Sequence, residues 1–452
     1  MVSVLLTLPA PAQHLRVSDN QRFLVKADGT PFFYLADTAW ELFHRLNREE
    51  ANLYLENRAA KGFTVIQAVV LAELDGLHTP NPYGDVPLFQ DDPTQPNEAY
   101  FRHVDYIVNR ASEVGLTIGM LPTWGDKLYR DSWGVGPEIF DIANARVYGE
   151  YVGRRYKDKP IIWILGGDRT PRNEQDVAVW RSMAAGIVAG AGDGNPDKVL
   201  MTFHPQPKSG GGSSTWFHQD GWLDFNMFQT GHCRNADVYE KISHDYTLTP
   251  VKPTMDGEPI YEAHPVCFNA RENGYSDAAD VRRAAYQDLF AGAFGHTYGC
   301  HSVWQMYDQN REGINGPVHT WQGALDLPGA SQMTYVRALM ESRPMLERVP
   351  DQRLVEDAYA GLERIQATRG RSYAFIYTTQ GKSIRVRMGL ISGKTVRAAW
   401  YDPRTGEASV VGEFSNSGRR TFIPPSNGPG NDWVLLLDDA GKGYKLPEKS
   451  GN

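Results

Sequence analysis

Short, nearly continuous apolar runs recur through most of the chain, and longer stretches with helical spacing separate them. The runs at 32–36, 64–70, 117–122, 161–165, 199–203, 225–229, 253–257 and 299–304 read as eight strands covered on both faces. A half-exposed strand would alternate polar and apolar positions instead. Between them, 48–61, 98–114, 144–157, 174–191, 236–244 and 277–293 carry helical patterns; in one, Tyr100, Val104, Ile107, Val108 and Ala111 share a face. This alternation predicts an α/β fold, a (β/α)8 TIM barrel of parallel strands. A doubly wound sheet would want a glycine-rich phosphate turn after its first strand, but that strand runs into Ala36-Asp37-Thr38-Ala39-Trp40.

A hairpin precedes the barrel: Leu15-Arg16-Val17, a turn at Asp19-Asn20, Phe23-Leu24-Val25, then a second turn at Asp28-Gly29. Beyond Pro344 the runs shorten and alternate, at 367–368, 373–377, 384–388, 396–401, 421–423 and 433–437, with turn residues between them. They predict a C-terminal antiparallel β-sandwich. The expected organisation is a leader at 1–13, the barrel with its hairpin at 14–344, and an accessory sandwich at 345–452 that braces the barrel or has a binding role of its own. The leader holds an apolar run and Ala10-Pro11-Ala12, like the end of a secretory signal. It lacks a basic start and is shorter than the usual ~15–30 residues. We read it as the disordered leader of a cytoplasmic protein, with periplasmic location or secretion as the other reading. The Gly/Ser-rich loop 208–215 follows the fifth strand and is a candidate lid.

Net charge −8 argues against a nucleic-acid partner, which requires a basic face. No run approaches the ~20 apolar residues of a membrane span, and three cysteines exclude a disulfide framework. The 11 Trp, 22 Tyr and 18 Phe mainly fill the core, and the remainder could form a flat-faced ligand cleft. The sequence does not indicate an oligomeric state.

In a (β/α)8 barrel the chemistry sits at the C-terminal strand ends. Those ends offer Asp37, Thr38 and Trp40; Glu73 and Asp75; Trp124, Asp126 and Lys127; Asp168 and Arg169; His204 and Gln206; Gln229 and His232; Glu258 and Glu262; and His301, Trp304 and Gln305. Acids, amides, imidazoles and indoles suit a neutral sugar, whose hydroxyls need donors and acceptors and whose C–H face stacks on aromatic planes. Candidate walls are Trp40, Trp124 and Trp304; candidate hydroxyl ligands are Asp37, Asp126, His204, Gln229, His232 and His301. Strand four ends in Gly166-Gly167-Asp168 and strand seven in Asp256-Gly257-Glu258-Pro259. These strands lie nearly opposite around a barrel, so the two carboxylates can face each other. Such a pair is the minimum apparatus for glycoside hydrolysis. Glu262 is the alternative nucleophile or a substrate ligand; Pro259, which should end strand pairing, favours Glu258. A metal is not expected: the first strand ends without a His-x-His pair, and no histidine has a second ligand at suitable spacing. No cofactor is expected either.

These strand ends resemble the clan of retaining (β/α)8 glycosidases, and the whole chain resembles glycoside hydrolase family 140, the apiosidases. The similar segments are Phe33-Tyr34-Leu35-Ala36-Asp37-Thr38-Ala39-Trp40, Lys61-Gly62-Phe63-Thr64-Val65-Ile66-Gln67, Ile162-Trp163-Ile164-Leu165-Gly166-Gly167-Asp168, Asp256-Gly257-Glu258-Pro259 and, in the sandwich, Ala399-Trp400-Tyr401-Asp402-Pro403-Arg404-Thr405-Gly406. The resemblance implies hydrolysis of a β-linked apiofuranose from plant pectin side chains or plant apiosides, with an Asp acid/base at Asp168 and a Glu nucleophile at Glu258. The clan usually has Asn before the acid, where this chain has Gly167. Another sugar specificity within the clan (arabinofuranosidase or glucosidase) and a non-catalytic sugar-binding barrel are the competing readings.

Overall fold

The computed structural model describes residues 15–131, 133–207, 211–236 and 238–447; the expected leader and residues 208–210 of the expected lid loop lie outside them. An antiparallel three-stranded sheet comes first: β1 (Leu15–Val17), β2 (Leu24–Lys26) and β3 (Pro31–Phe32). Eight parallel strands follow: β4 (Tyr34–Thr38), β5 (Val65–Leu71), β6 (Thr117–Thr123), β7 (Ile161–Gly166), β8 (Met201–His204), β9 (Asn226–Gln229), β10 (Thr254–Glu258) and β11 (Gly295–Tyr298). Nearly every residue in them is buried, as continuous apolar runs require.

The eight form two sheets, a curled one in the order β11-β4-β5-β6-β7-β8 and the pair β10-β9, where the sequence predicts one closed ring. Isolated hydrogen bonds cross both seams: Asp224 N to Met201 O at 2.9 Å, and Phe294 N to Thr254 O at 3.1 Å. The eighth strand is also earlier than expected. Gly295–Tyr298 pairs with β4, whereas His301–Trp304 is a helical turn. His296 hides this strand in the sequence, because a histidine breaks the apolar run yet here is buried against Asp288, with Nδ1 and Oδ2 2.9 Å apart.

Helices cover the strands. Arg48–Ala60, Ile142–Arg155 and Ala278–Ala291 begin with reciprocal capping boxes from Asn47, Asp141 and Asp277, which satisfy otherwise unpaired first-turn N–H groups. The helices flanking β7, Ile142–Arg155 and Glu174–Ala191, meet backbone to backbone: a Cβ on Gly186 would stand 2.2 Å from Arg146 O.

The C-terminal region is an antiparallel sheet ordered β12-β13-β14-β19-β16-β17, with the pair β15-β18 on one face. Its strands are β12 (Val349–Pro350), β13 (Ile365–Arg369), β14 (Tyr373–Thr378), β15 (Ile384–Arg387), β16 (Thr395–Asp402), β17 (Glu407–Ser415), β18 (Arg419–Phe422) and β19 (Trp433–Asp439). β14 is buried on both faces, and its period of two assigns each residue. Ala374 and Ile376 join a small core with Ile384, Val386 and Phe422, while Tyr373, Phe375 and Tyr377 join the large core beside the helix Ala278–Ala291. β17 is absent from the predicted strands because it is a mostly exposed edge with no apolar stripe.

Two buried ion pairs join this sheet to the helical layer. Arg282 donates from Nε and Nη2 to Asp432 at 3.0 and 2.7 Å, and Arg343 does the same to Asp438 at 2.8 Å each. Arg282→Ala strands the Asp432 carboxylate in a buried site, and we expect a loss of ~3–5 kcal/mol in chemical denaturation. The double variant Arg282→Met/Asp432→Leu should lose clearly less; an additive double loss would contradict the pairing.

Candidate active site

Three successive residues with positive φ end β7: Gly166 at 89°, Gly167 at 100° and Asp168 at 53°. A Cβ on Gly166 would stand 2.3 Å from His204 O, and one on Gly167 2.9 Å from the Trp124 ring, so space and conformation both demand glycine. This explains the missing Asn at position 167. The turn is held by Gly167 N donating to His204 O at 3.0 Å and Gly125 N to Gly167 O at 2.9 Å. Asp168 accepts a conformation that costs most L-residues ~1–2 kcal/mol but that Asp tolerates better.

Glu258 ends β10 after a register break between Asp256 and Glu258, at Gly257. Such an irregularity re-aims the following side chain. The Asp256 carboxylate accepts from Glu258 N at 3.1 Å and fixes the new direction. Glu258 Oε2 lies 3.1 Å from His204 Nε2, and Oε1 lies 3.4 Å from His232 Nε2. His204 also faces the other strand, with Nδ1 3.4 Å from Asp168 N. One buried imidazole therefore touches both carboxyl-bearing segments.

Asp168 and Glu258 line one cavity of about 560 Å³. Burial first, and then the charge of Glu258, pushes the Asp168 carboxyl up to about 6. Burial also acts to raise Glu258, but the contacts of His204 and His232 outweigh it and hold the carboxyl down to about 2. The two groups are thus poised in opposite directions.

Trp40, Trp124 and Trp304 line the cavity, with the first two rings 5.3 Å apart. Gln229 and His232 line it as well, and His204 sits behind Glu258. Trp124 Nε1, Asp168 Oδ1, Gln229 Oε1 and His232 Nδ1 are buried without a hydrogen-bond partner among the described residues. Such atoms are costly unless a ligand or water meets them. Their convergence on one cavity suits a polyhydroxylated ligand.

Four sequence candidates lie elsewhere. Asp37 points to the helix Arg48–Ala60, where it accepts from Arg58 Nε and Tyr54 OH at 2.6 Å each. Asp126 is occupied by Lys127 Nζ at 2.8 Å and by Gly136 N at 2.9 Å. His301 lies one layer back, its ring 4.4 Å from that of His264 and its Nδ1 3.4 Å from Trp304 Nε1. Glu262 accepts from Tyr298 OH at 2.6 Å and Gly329 N at 3.0 Å, away from the cavity. Strand ends predict height in a barrel but not whether a side chain points in or out.

Other cavity residues received no role from the sequence. Glu73 lies just beyond β5 and Tyr261 follows β10; Trp133 comes from a loop that no strand-end rule selects. Cys233 and Cys267 also line the cavity and are joined as a disulfide, which corrects the expectation from the cysteine count. The bridge ties the loop of His232 to that of His264.

Residues 18–347 match the family model "Apiosidase-like, catalytic domain", and residues 349–438 match "Putative collagen-binding domain of a collagenase". Among solved structures, one titled "Glycoside hydrolase" is 35% identical with a TM-score of 0.86, covering 96% of this chain and 98% of that one. A glycoside hydrolase family 5 protein from Bacteroides vulgatus ATCC 8482 is 33% identical with a TM-score of 0.86, covering 97% and 95%. No curated protein matches. Matched over most of its length, the chain belongs to the apiosidase-like family and is a glycoside hydrolase.

Proposed function

We propose that the protein is a retaining β-apiosidase of the family 140 type, with Asp168 as acid/base and Glu258 as nucleophile, and that its eight parallel strands act as a (β/α)8 barrel whose catalytic unit spans 14–344. The observation that carries this reading is the opposite poise of the two carboxyls on one cavity wall. A group near 6 keeps a proton available for a leaving oxygen, and a group near 2 stays ionised for attack.

In the first step Asp168 gives its proton to the glycosidic oxygen while Glu258 bonds to the anomeric carbon, and the alcohol leaves. In the second, Asp168 takes a proton from water, whose oxygen displaces Glu258. Proton and carboxylate return to their starting places, so nothing else is consumed. The histidine contacts that stabilise ionised Glu258 also make it a good leaving group in the second step.

The described wall carries the anionic Glu258 and no Lys or Arg. A uronate next to the scissile bond would find no cation there and would meet the like charge of Glu258. This favours a neutral apioside over an apiosyl residue held among pectin uronates. Activity against a panel of aryl and alkyl glycosides should be highest on β-apiosides and should survive in the neutral plant glycosides. Preference for an arabinofuranoside or glucoside would replace the sugar assignment and leave the glycosidase standing.

The pH profile follows from the same poise. Asp168 must be protonated, so kcat/KM should fall as pH rises through about 6; Glu258 must be ionised, so its loss begins only near pH 2. In Asp168→Ala the upper limb should vanish. Turnover should fall ~10²–10⁴-fold on poor leaving groups and much less on activated aryl glycosides. An unchanged upper limb in that variant would contradict the assignment.

A further inference from the structure

Glu73 is a cavity carboxyl that the two-acid mechanism does not use. It lies just beyond β5, 2% exposed, and its Oε2 accepts from the indole N–H of Trp133. Glu41 Oε1 accepts from Leu74 N at 3.2 Å, which anchors the segment, and Asp75 N donates to Glu73 O at 2.9 Å. The charged groups around Glu73 are mostly of its own sign: Glu41, Asp168 and Asp126.

The basic side chains of this region do not pair with Glu73. Arg45 donates to Gln305 O at 2.7 Å and lies 3.5 Å from Glu41, and His44 contacts Glu41 at 2.5 Å. Lys127 holds both Asp126 oxygens at 2.8 and 2.9 Å. Arg169 donates from Nη1 to Asp168 O at 2.7 Å and from Nε to Tyr129 O at 3.1 Å, and its Nη2 has no partner among the described residues. Among the described residues none of them forms an ion pair with Glu73. A buried carboxyl with one neutral donor and no counterion takes up a proton rather than remain charged. Accordingly, burial first and then Glu41 raise Glu73 well above the ordinary carboxyl range.

We propose that Glu73 is an uncharged carboxylic acid whose O–H donates to a hydroxyl oxygen of the bound glycoside, which makes it a specificity-determining residue of the cavity. Trp133 occupies the carbonyl side, so the O–H is the group left to face the ligand. The inference rests on the reading of Asp168 and Glu258 above. In the resting enzyme the three cavity carboxyls then hold three distinct states: a hydroxyl donor, a proton shuttle and a nucleophilic anion. A carboxylate at Glu73 would instead raise Asp168 further and repel Glu258.

The test compares parent, Glu73→Ala and Glu73→Gln on the aryl glycoside that the parent hydrolyses best, across pH. In Glu73→Ala, KM should rise at least ~10-fold with kcat changed less. Glu73→Gln keeps an N–H donor and should recover most of that loss, with the upper pH limb still near 6. An unchanged KM in Glu73→Ala overturns the proposal. So does a downward shift of the upper limb in Glu73→Gln, because it would mean that a negative charge beside Asp168 had been removed. If Glu73→Ala does not fold, the Glu73→Gln pH profile decides alone. If the parent hydrolyses no glycoside, the reading of Asp168 and Glu258 fails; calorimetric binding of a β-apioside by parent and Glu73→Ala then decides the role of Glu73, with equal affinities overturning it.

Discussion

Two imidazoles keep a negative charge on Glu258 in a place where burial would otherwise discharge it. The rest of the site depends on this contact. The charge helps hold a proton on Asp168 across the cavity, so one stabilised anion sets the two carboxyls in the opposite states that the proposed nucleophile and acid require. His204 is central because it spans the gap: one ring nitrogen faces the Asp168 main chain and the other faces the Glu258 carboxylate. Its ring is set by Trp40, 5.5 Å away edge to face, and by Trp124 at 6.1 Å. The tryptophans that line the cavity therefore also pack against the residue that touches both carboxyl-bearing segments.

The fold supplies that geometry through two local breaks in regular strands. At the end of β7, two glycines and an aspartate turn with positive φ where no Cβ fits at the glycines. At the end of β10, the chain slips register at Gly257, and Asp256 anchors the displaced Glu258 N–H. Both breaks sit in a closely packed frame of buried parallel strands and a tight helix seam around β7, to which the C-terminal sheet is tied through Arg282 and Arg343.

Much of this was legible in the sequence, for physical reasons. Strands buried on both faces leave continuous apolar runs, so seven of the eight parallel strands were placed within a few residues. The Gly-Gly-Asp and Asp-Gly-Glu segments stood out because each sets an acid directly after a buried run beside glycines, and the structure brings both acids to one cavity. The strand Gly295–Tyr298 was hidden by His296, whose burial depends on Asp288, a partner that no local pattern reveals. Asp37 and Asp126 show the limit of strand-end reasoning: both sit at the correct height, yet Arg58 and Lys127 hold their carboxylates elsewhere. Trp133 and the Cys233–Cys267 bridge are loop features, fixed by tertiary packing alone.

The central claim is that Glu258, and not a water molecule or Glu262, attacks the sugar. A mechanism-based glycosyl fluoride that forms a slow-breaking ester, followed by peptide mass spectrometry, tests it most directly. The account predicts a single sugar adduct on Glu258 that accumulates as activity is lost and disappears as activity returns. An adduct on Glu262, or full turnover of the probe with no adduct at any carboxyl, would contradict it.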